Sequence, residues 1–503
     1  MACKSKLIIV GGGISGLAAG IYCLENGFDV EIYEKAAVAG GECMGWTRKG
    51  TLIDGCAHWI IGSNPKSDLY PSWRHIGVFP AGHTIYPTTA LSSFDVGDRR
   101  ITLYGDLNRL EKELSSAFPE DKKPIHQLIK AIRSYQKVRI PIDKPLDKMN
   151  LFELTRFGLP MLPMVFAYLK YSKVSMDEYV QRFSSPKLRD ILLRAMRNNY
   201  NAHAFFYVMQ ALSKEDAAVP EGGSLAIAKR VTDKYLSLGG KLYLNAEVVG
   251  VDYEKRQAKS IHLKNGKTIP CDYLLLACDM NFAAEHLFPE QEKNNYFAKR
   301  KHDPITYPGQ IGFTLSYRTK ADVSDLPKQL DFACEKKDFA GLNLWHIPLR
   351  NHSFDPTFRD KDGNSLLTVL IPASEDAYEG WKALSREEYV SLKGALLDYV
   401  GKAIADKLGV DASMIEPLDC ATPITYERYC NAYKGSYMSF LSTKKNPHLM
   451  VKGTLRTIDN TFLTGQWLML PGGMPIALFT AKNAAYRLSK KAFGRFLDLD
   501  EKN

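Results

Sequence analysis

The run Lys6-Leu-Ile-Ile-Val10-Gly11-Gly-Gly13-Ile-Ser15-Gly16 limits what this chain can fold into more than any other stretch. It reads as a buried strand, a glycine turn and a helix from about Ile14 to Glu25. A second short strand follows from Phe28 to Tyr33 and ends at Glu34. Gly11, Gly13 and Gly16 match G-x-G-x-x-G, and each has its own task. The first permits the tight turn, the second lets backbone approach a pyrophosphate, and the third lets helix pack closely on strand. The pyrophosphate then rests on the amides and positive dipole end of the helix, whose first turn holds Ser15. Glu34 lies 21 residues after Gly13, where an acid can accept from ribose hydroxyls. A glycine turn alone is common and need bind nothing. Here the strand, helix, second strand and terminal acid supply the context that makes it an adenine dinucleotide site.

At 503 residues the chain has room for several domains and a sizeable core. Nine cysteines (3, 23, 43, 56, 271, 278, 334, 420, 430) are scattered singly. An odd, unpatterned set argues against a disulfide framework or a zinc site, and for a reducing cytoplasm. The first strand begins so close to Met1 that no room is left for a signal peptide. No stretch reaches the roughly 18 apolar residues that a spanning helix needs. The nearest, Phe157 to Leu169, is broken by Pro160 and Pro163.

The net charge is +10, and part of it is local: eight Lys/Arg against three Asp between Asp121 and Lys148, directly before the apolar segment Leu151–Leu169. A basic stretch beside an apolar one suits a protein resting on an anionic membrane surface. It equally suits a solvated helix face next to a core helix. Nucleic acid explains the charge less well, because no binding motif or stacking pattern accompanies it.

Two later segments also read as nucleotide-domain pieces. One runs from Pro220-Glu-Gly-Gly223 through a helix (Leu225 to Leu238), strand material (Lys241 to Val251) and strand candidates Ser260–Leu263 and Thr268–Ala277. The other holds Thr461-Phe-Leu-Thr-Gly465, Pro471-Gly-Gly-Met-Pro475 and a helix from Ala477 to about Lys491. The expected architecture is α/β: a discontinuous Rossmann-type domain (1–75, 215–289, 451–503) with an interleaved α+β substrate domain (76–214, 290–450). Only one G-x-G-x-x-G occurs, so a built-in nicotinamide domain is not expected.

Taken in order, these motifs resemble the phytoene desaturase and carotenoid isomerase branch of FAD-dependent oxidoreductases, within the flavin amine oxidase superfamily. After Glu34-Lys35 comes Gly40-Gly41, similar to the branch's second glycine pair near the flavin diphosphate. The segment Leu52 to Trp59 looks like the one passing beside the isoalloxazine. Asn245-Ala-Glu-Val248 is similar to the motif whose valine backbone pairs with adenine, and Ala421 to Arg428 to a late substrate-domain segment. Gly465-Gln466-Trp with Pro471-Gly-Gly473-Met474-Pro resembles the C-terminal flavin motif. Amides there, and the helix start that follows, favour the negative charge of reduced flavin. Two positions depart from the pattern. Glu42 stands where the branch has arginine, leaving Arg48 and Lys49 as the nearest replacement cations, and Thr480-Ala481 replaces a Ser-Gly pair.

The resemblance implies FAD and chemistry on carbon–carbon bonds: desaturation, saturation or isomerisation of a lipophilic substrate such as a carotenoid or polyisoprenoid. Fatty-acid double-bond isomerisation, enone reduction, amine oxidation and non-catalytic flavin or lipid binding are the alternatives. Electrons are expected to pass to or from quinone, oxygen or a diffusing nicotinamide. His58 is the candidate for moving a proton at neutral pH, against the plainer reading of a histidine fixing a turn. Cys56 and Trp59 share its segment. Tyr426, Tyr429, Tyr433 and Tyr437 recur at near-helical intervals around Arg428, as a core stripe or as the wall of an aromatic tunnel.

Overall fold

The computed structural model describes residues 5–56, 58–196, 199–293, 296–301, 303–446 and 450–501. Cys3 and Ala57 therefore lie outside the described residues.

A five-stranded parallel sheet is ordered Lys241–Tyr243, Asp29–Tyr33, Lys6–Val10, Tyr273–Leu276, Thr461–Leu463. Its strands come from the N-terminal, middle and C-terminal parts of the chain. Side chains alternate across it, as the two-residue period of a strand requires. Leu7, Ile9, Val30 and Ile32 pack with the helices on one face. Ile8 and Val10 pack on the other with Val248, Ile261 and Leu263 of a small antiparallel sheet. The Ile14–Glu25 helix is buried along its length against helices Gly223–Ser237 and Met474–Phe493, which its small residues permit. A Cβ on Gly20 would press into the Tyr235 ring.

The second large sheet has eight strands, mostly antiparallel, including Gly309–Thr319, Gln329–Phe339, Leu342–Asn351 and Ser365–Ala373. Ile311, Phe313, Leu315 and Tyr317 alternate onto one face. They form a core with Leu396, Val400 and Ile404 of the long Arg386–Leu408 helix, which a Ser385/Glu388 capping box opens and Gly409 closes. A helical block, Leu107–Ala117 to Ala202–Ser213, has its own aromatic-rich core.

Several boundaries differ from the sequence reading. The stretch from Lys241 to Val251 is not one strand. Left-handed Asn245 breaks it, and the two pieces join different sheets. The 268–277 candidate splits into Thr268–Pro270 and Tyr273–Leu276, which join different sheets. The four tyrosines do not share a helix, because Pro423–Cys430 ends at left-handed Asn431 and Tyr437 lies in the strand Ser436–Phe440. The apolar segment after Lys148 forms two short helices, Leu151–Gly158 and Leu162–Tyr171, joined by a 3-10 turn at Pro160. They are not core helices: Leu151 is 81% exposed, Phe152 75%, Phe166 68% and Leu169 70%. Among the described residues no helix is long and apolar enough to cross a membrane, and the eight described cysteines are unpaired.

Candidate active site

A cavity of about 860 Å³ opens at the carboxyl ends of the central parallel strands, where Val10, Gly11, Gly13, Tyr33, Glu34, Ala277 and Cys278 line it. Ligands of open parallel sheets bind at such strand ends. The same cavity continues to the second sheet (Thr314, Arg350, Thr368, Leu370) and to the helical block (Phe157, Met161, Met164, Tyr168). One space thus joins the glycine turn to the chain's apolar helices.

The three fingerprint glycines are held for different reasons. Gly11 has φ +108°, and a Cβ there would meet the Ala277 carbonyl carbon at 2.9 Å. A Cβ on Gly16 would collide with the Gly11 carbonyl oxygen, so this glycine brings helix onto strand. Gly13 is different: a Cβ there finds nothing closer than Gly41 Cα at 3.8 Å. The protein itself leaves that position open, as a cradle for a ligand's pyrophosphate requires. Gly40 (φ +121°) and Gly41 (φ +62°) stack against Gly13, and the Gly40 amide donates to the Gly12 carbonyl at 2.9 Å. The Ser15 side chain is buried at the cavity wall beside them.

Glu34 accepts from the amides of Gly12 (2.6 Å) and Ala36 (2.8 Å), which lock its carboxylate at the end of its strand. Burial raises its pKa and these amides lower it. Two lone pairs remain for ribose hydroxyls. Lys35 reaches to the Arg428 carbonyl (3.0 Å) and the Asn431 side chain, so it ties the strand end to the second half of the chain. Val248 is buried in the cavity wall beyond the end of the Glu34 strand.

At the other end, Gly465 (φ +128°) donates its amide to the Thr480 hydroxyl at 3.0 Å and lies behind the lining. Gln466 bridges two partners. Its Nε2 donates to Glu42 Oε2 at 2.8 Å, and its Oε1 accepts the Gly473 amide at 3.0 Å. The Gly473 amide is therefore occupied, and Pro475 has none. The free donors of this helix start are the amides of Met474 and Ile476, which face no intrahelical acceptor.

Glu42 is partly buried, and its carboxyl is pushed up to about 8 by burial, opposed by the Gln466 hydrogen bond and helped by Asp279. The replacement cations foreseen from sequence are engaged elsewhere. Arg48 pairs with Asp419 at 3.0 Å and Lys49 with Glu416 at 2.7 Å. Glu42 accepts from Gln466 and supplies no cation for a phosphate.

His58 and Trp59 line the cavity, and the His58 carbonyl accepts from Arg350 Nη2 at 2.8 Å. Burial, then the Arg350 charge, lower the imidazole pKa to about 3. Both influences favour the neutral ring. Cys56 lines the same wall, with its amide on Asp54. Tyr426, Tyr429 and Tyr437 reach the cavity and Tyr433 does not. Sequence reasoning missed Arg350, Thr368 and Gln310, since residues on sheet strands carry no motif. Their strand alternation was visible, but not the neighbour they face.

An open cradle at Gly13, an anchored acid at Glu34 and uncommitted amides at Met474 and Ile476 are what a flavin adenine dinucleotide needs along one cavity. Residues 14–489 match the flavin containing amine oxidoreductase family. The chain is 23% identical to a 4,4'-diapophytoene desaturase of Methylomonas sp, across 99% of this chain and 98% of that protein. It is also 23% identical to human all-trans-retinol 13,14-reductase, across 99% and 87% respectively. Among solved structures, putrescine oxidase bound to putrescine superposes with a TM-score of 0.60 at 15% identity, covering 98% of this chain and 100% of that one. That last likeness concerns the fold. The chain belongs to the flavin-containing amine oxidoreductase family and is an FAD-dependent oxidoreductase.

Proposed function

We propose that this enzyme acts on carbon–carbon bonds of a polyene lipid, by desaturation, saturation or isomerisation, with carotenoid or polyisoprenoid substrates leading. The observation that carries this reading is the single cavity shared by the dinucleotide cradle and the apolar side chains Phe157, Met161, Met164 and Tyr168. Relatives named as a diapophytoene desaturase, a prolycopene isomerase and a retinol reductase support the substrate class. Bound FAD supplies hydride chemistry. The protein's share is to align an extended chain, exclude water and hold protons. Gly11, Gly13, Ser15, Gly16, Glu34, Lys35, Gly40, Gly41 and Val248 hold the nucleotide half in this reading, and Gly465, Gln466, Gly473 and Met474 the flavin half. In this reading His58 lines the cavity beside Trp59, with its ring favoured in the neutral form. An external quinone, oxygen or nicotinamide exchanges the electrons.

The helices whose inner sides line the cavity expose Leu151, Phe152, Phe166 and Leu169 outward. Exposed Lys148, Arg156, Lys170 and Lys173 flank them and, among the described residues, make no ion pair. An apolar patch ringed by free cations fits an anionic bilayer, from which a lipid passes between these helices into the cavity. Amine oxidation is less well supported, because the Arg350 guanidinium repels an ammonium substrate.

The test is the visible spectrum of the purified protein, followed by anaerobic addition of polyenes, fatty acids, enones and amines. Bleaching of the flavin band by polyenes alone is the expected outcome for desaturation. Bleaching by amines alone would overturn the proposal. For a saturase, the dithionite-reduced protein should reoxidise on polyene addition.

A further inference from the structure

The polar face of the second sheet carries a buried cation, Arg350, that forms no ion pair among the described residues. In the strand Leu342–Asn351, Leu349 turns into the core and Arg350 turns the other way. Register places Arg350 opposite Thr368, and Leu370 opposite Thr314. Residues two apart on one strand share a face, so Arg350, Thr368, Leu370 and Thr314 form one continuous surface, and all four line the cavity. Arg350 is 6% exposed. Its only hydrogen bond among the described residues is to the His58 carbonyl, and no carboxylate lies within ion-pair distance. The nearest acid that acts on it is Asp54, whose oxygens are taken by the Cys56 amide and by Ser224.

The surroundings make the charge more isolated still. His58 and His352 are held neutral by burial and by Arg350, and burial lowers Lys328 to about 8. A second cavity arginine provides the contrast. Arg194 lines the same space but is bound by Asp331 at 2.5 Å and Asp190 at 2.9 Å. One guanidinium is charge-paired within the protein, and the other forms no ion pair among the described residues and lies beside the segment that carries His58. A buried charge without a partner opposes folding, so a site that keeps one is matched to a ligand of opposite charge.

We propose that Arg350 is the anchor for a carboxylate at one end of the substrate, which makes the substrate an unsaturated lipid acid rather than a neutral hydrocarbon. This rests on the polyene-lipid reading and narrows it. A guanidinium holds a carboxylate by two parallel N–H bonds, fixing orientation as well as position. Anchored there, the chain runs from the sheet toward Met161, Met164 and Tyr168, and its register against the flavin segment is set by its length. The region specificity of the reaction then follows from the distance between the carboxylate and the reacting double bond.

The experiment titrates FAD-loaded protein with all-trans-retinoate and with its methyl ester, reading perturbation of the flavin absorption band. The acid should act at about tenfold lower concentration than the ester, the usual scale for a charge-assisted pair. Arg350→Gln should bring the two curves together at unchanged FAD content, and Arg350→Lys should keep part of the difference. Coincident acid and ester curves in the unaltered protein overturn the anchor while leaving the polyene reading in place. That comparison needs no variant and holds if Arg350→Gln does not fold. An intact acid preference in Arg350→Gln also overturns the anchor. Failure of both compounds to perturb the flavin overturns the anchor and the polyene reading together.

Discussion

At the nucleotide end of the cavity the ligand-facing surface is largely backbone: Gly11, Gly13, Gly40 and Gly41, and the amides of Met474 and Ile476. At the substrate end it is side chains, drawn from strands and helices far apart in sequence: Phe157, Met164, Tyr168, Arg350, Thr368 and Tyr426. The first end is a fixed shape for a fixed ligand, and its few residues are local. The second is assembled, and each wall answers to a separate core. The difference teaches that cofactor identity and substrate identity are specified by different kinds of information within one cavity.

The largest expected effect breaks the first end. Gly13→Ala and Gly16→Ala alter neighbouring glycines with opposite surroundings. The first should fold normally and lose FAD, because only the ligand needs that space. The second should lose both FAD and stability, by about 3 kcal/mol, because a Cβ meets the Gly11 carbonyl. Flavin content at purification and apoprotein melting distinguish them. Full FAD retention in a bulkier variant, Gly13→Leu, would overturn the cradle.

Next in size is the acid that joins the two glycine-rich segments. The folded protein holds the Glu42 proton up to about pH 8, whereas an unfolded glutamate releases it near 4.5. The folded state therefore binds more protons across that window, and stability falls as pH rises through it. Glu42→Gln should flatten the apoprotein melting profile between about pH 5 and 8, by on the order of 2 kcal/mol. Glu34 and Asp279, also raised by burial, add slope of the same sign. Parallel profiles for the two proteins would remove Glu42 from this role.

The smallest effect on the fold concerns the outer side of the substrate end. Phe152→Ser with Phe166→Ser touches no core, so melting should move by less than about 0.5 kcal/mol. Co-sedimentation with phosphatidylserine-containing vesicles at low salt should nevertheless weaken by about tenfold or more. Unaltered vesicle binding would detach the exposed helices from any membrane role.

Much of the nucleotide end was legible in order along the chain. The strand–turn–helix, the acid at 34, the Gly40-Gly41 pair and the C-terminal glycines all stand in the cavity wall, apart from Gly465 and Gly16, which shape it from behind. What misled was spacing taken as continuity. The 241–251 run does hold strand material, but Asn245 turns it between two sheets. Four tyrosines at helical intervals belong to three different elements. The apolar stretch after Lys148 has core composition, yet it sits outside the core.

By itself the sequence determined the dinucleotide fold and its cofactor, because a glycine's freedom at a turn and an acid at a strand end are local properties of the backbone. Only the tertiary structure decided that Arg350 lacks an ion-pair partner while Arg194 has two, that burial and Arg350 bias His58 toward its neutral form, and that Phe152 and Phe166 face outward. Charge and burial depend on what the rest of the chain brings within a few ångströms, and strand alternation alone does not name the partner across the sheet.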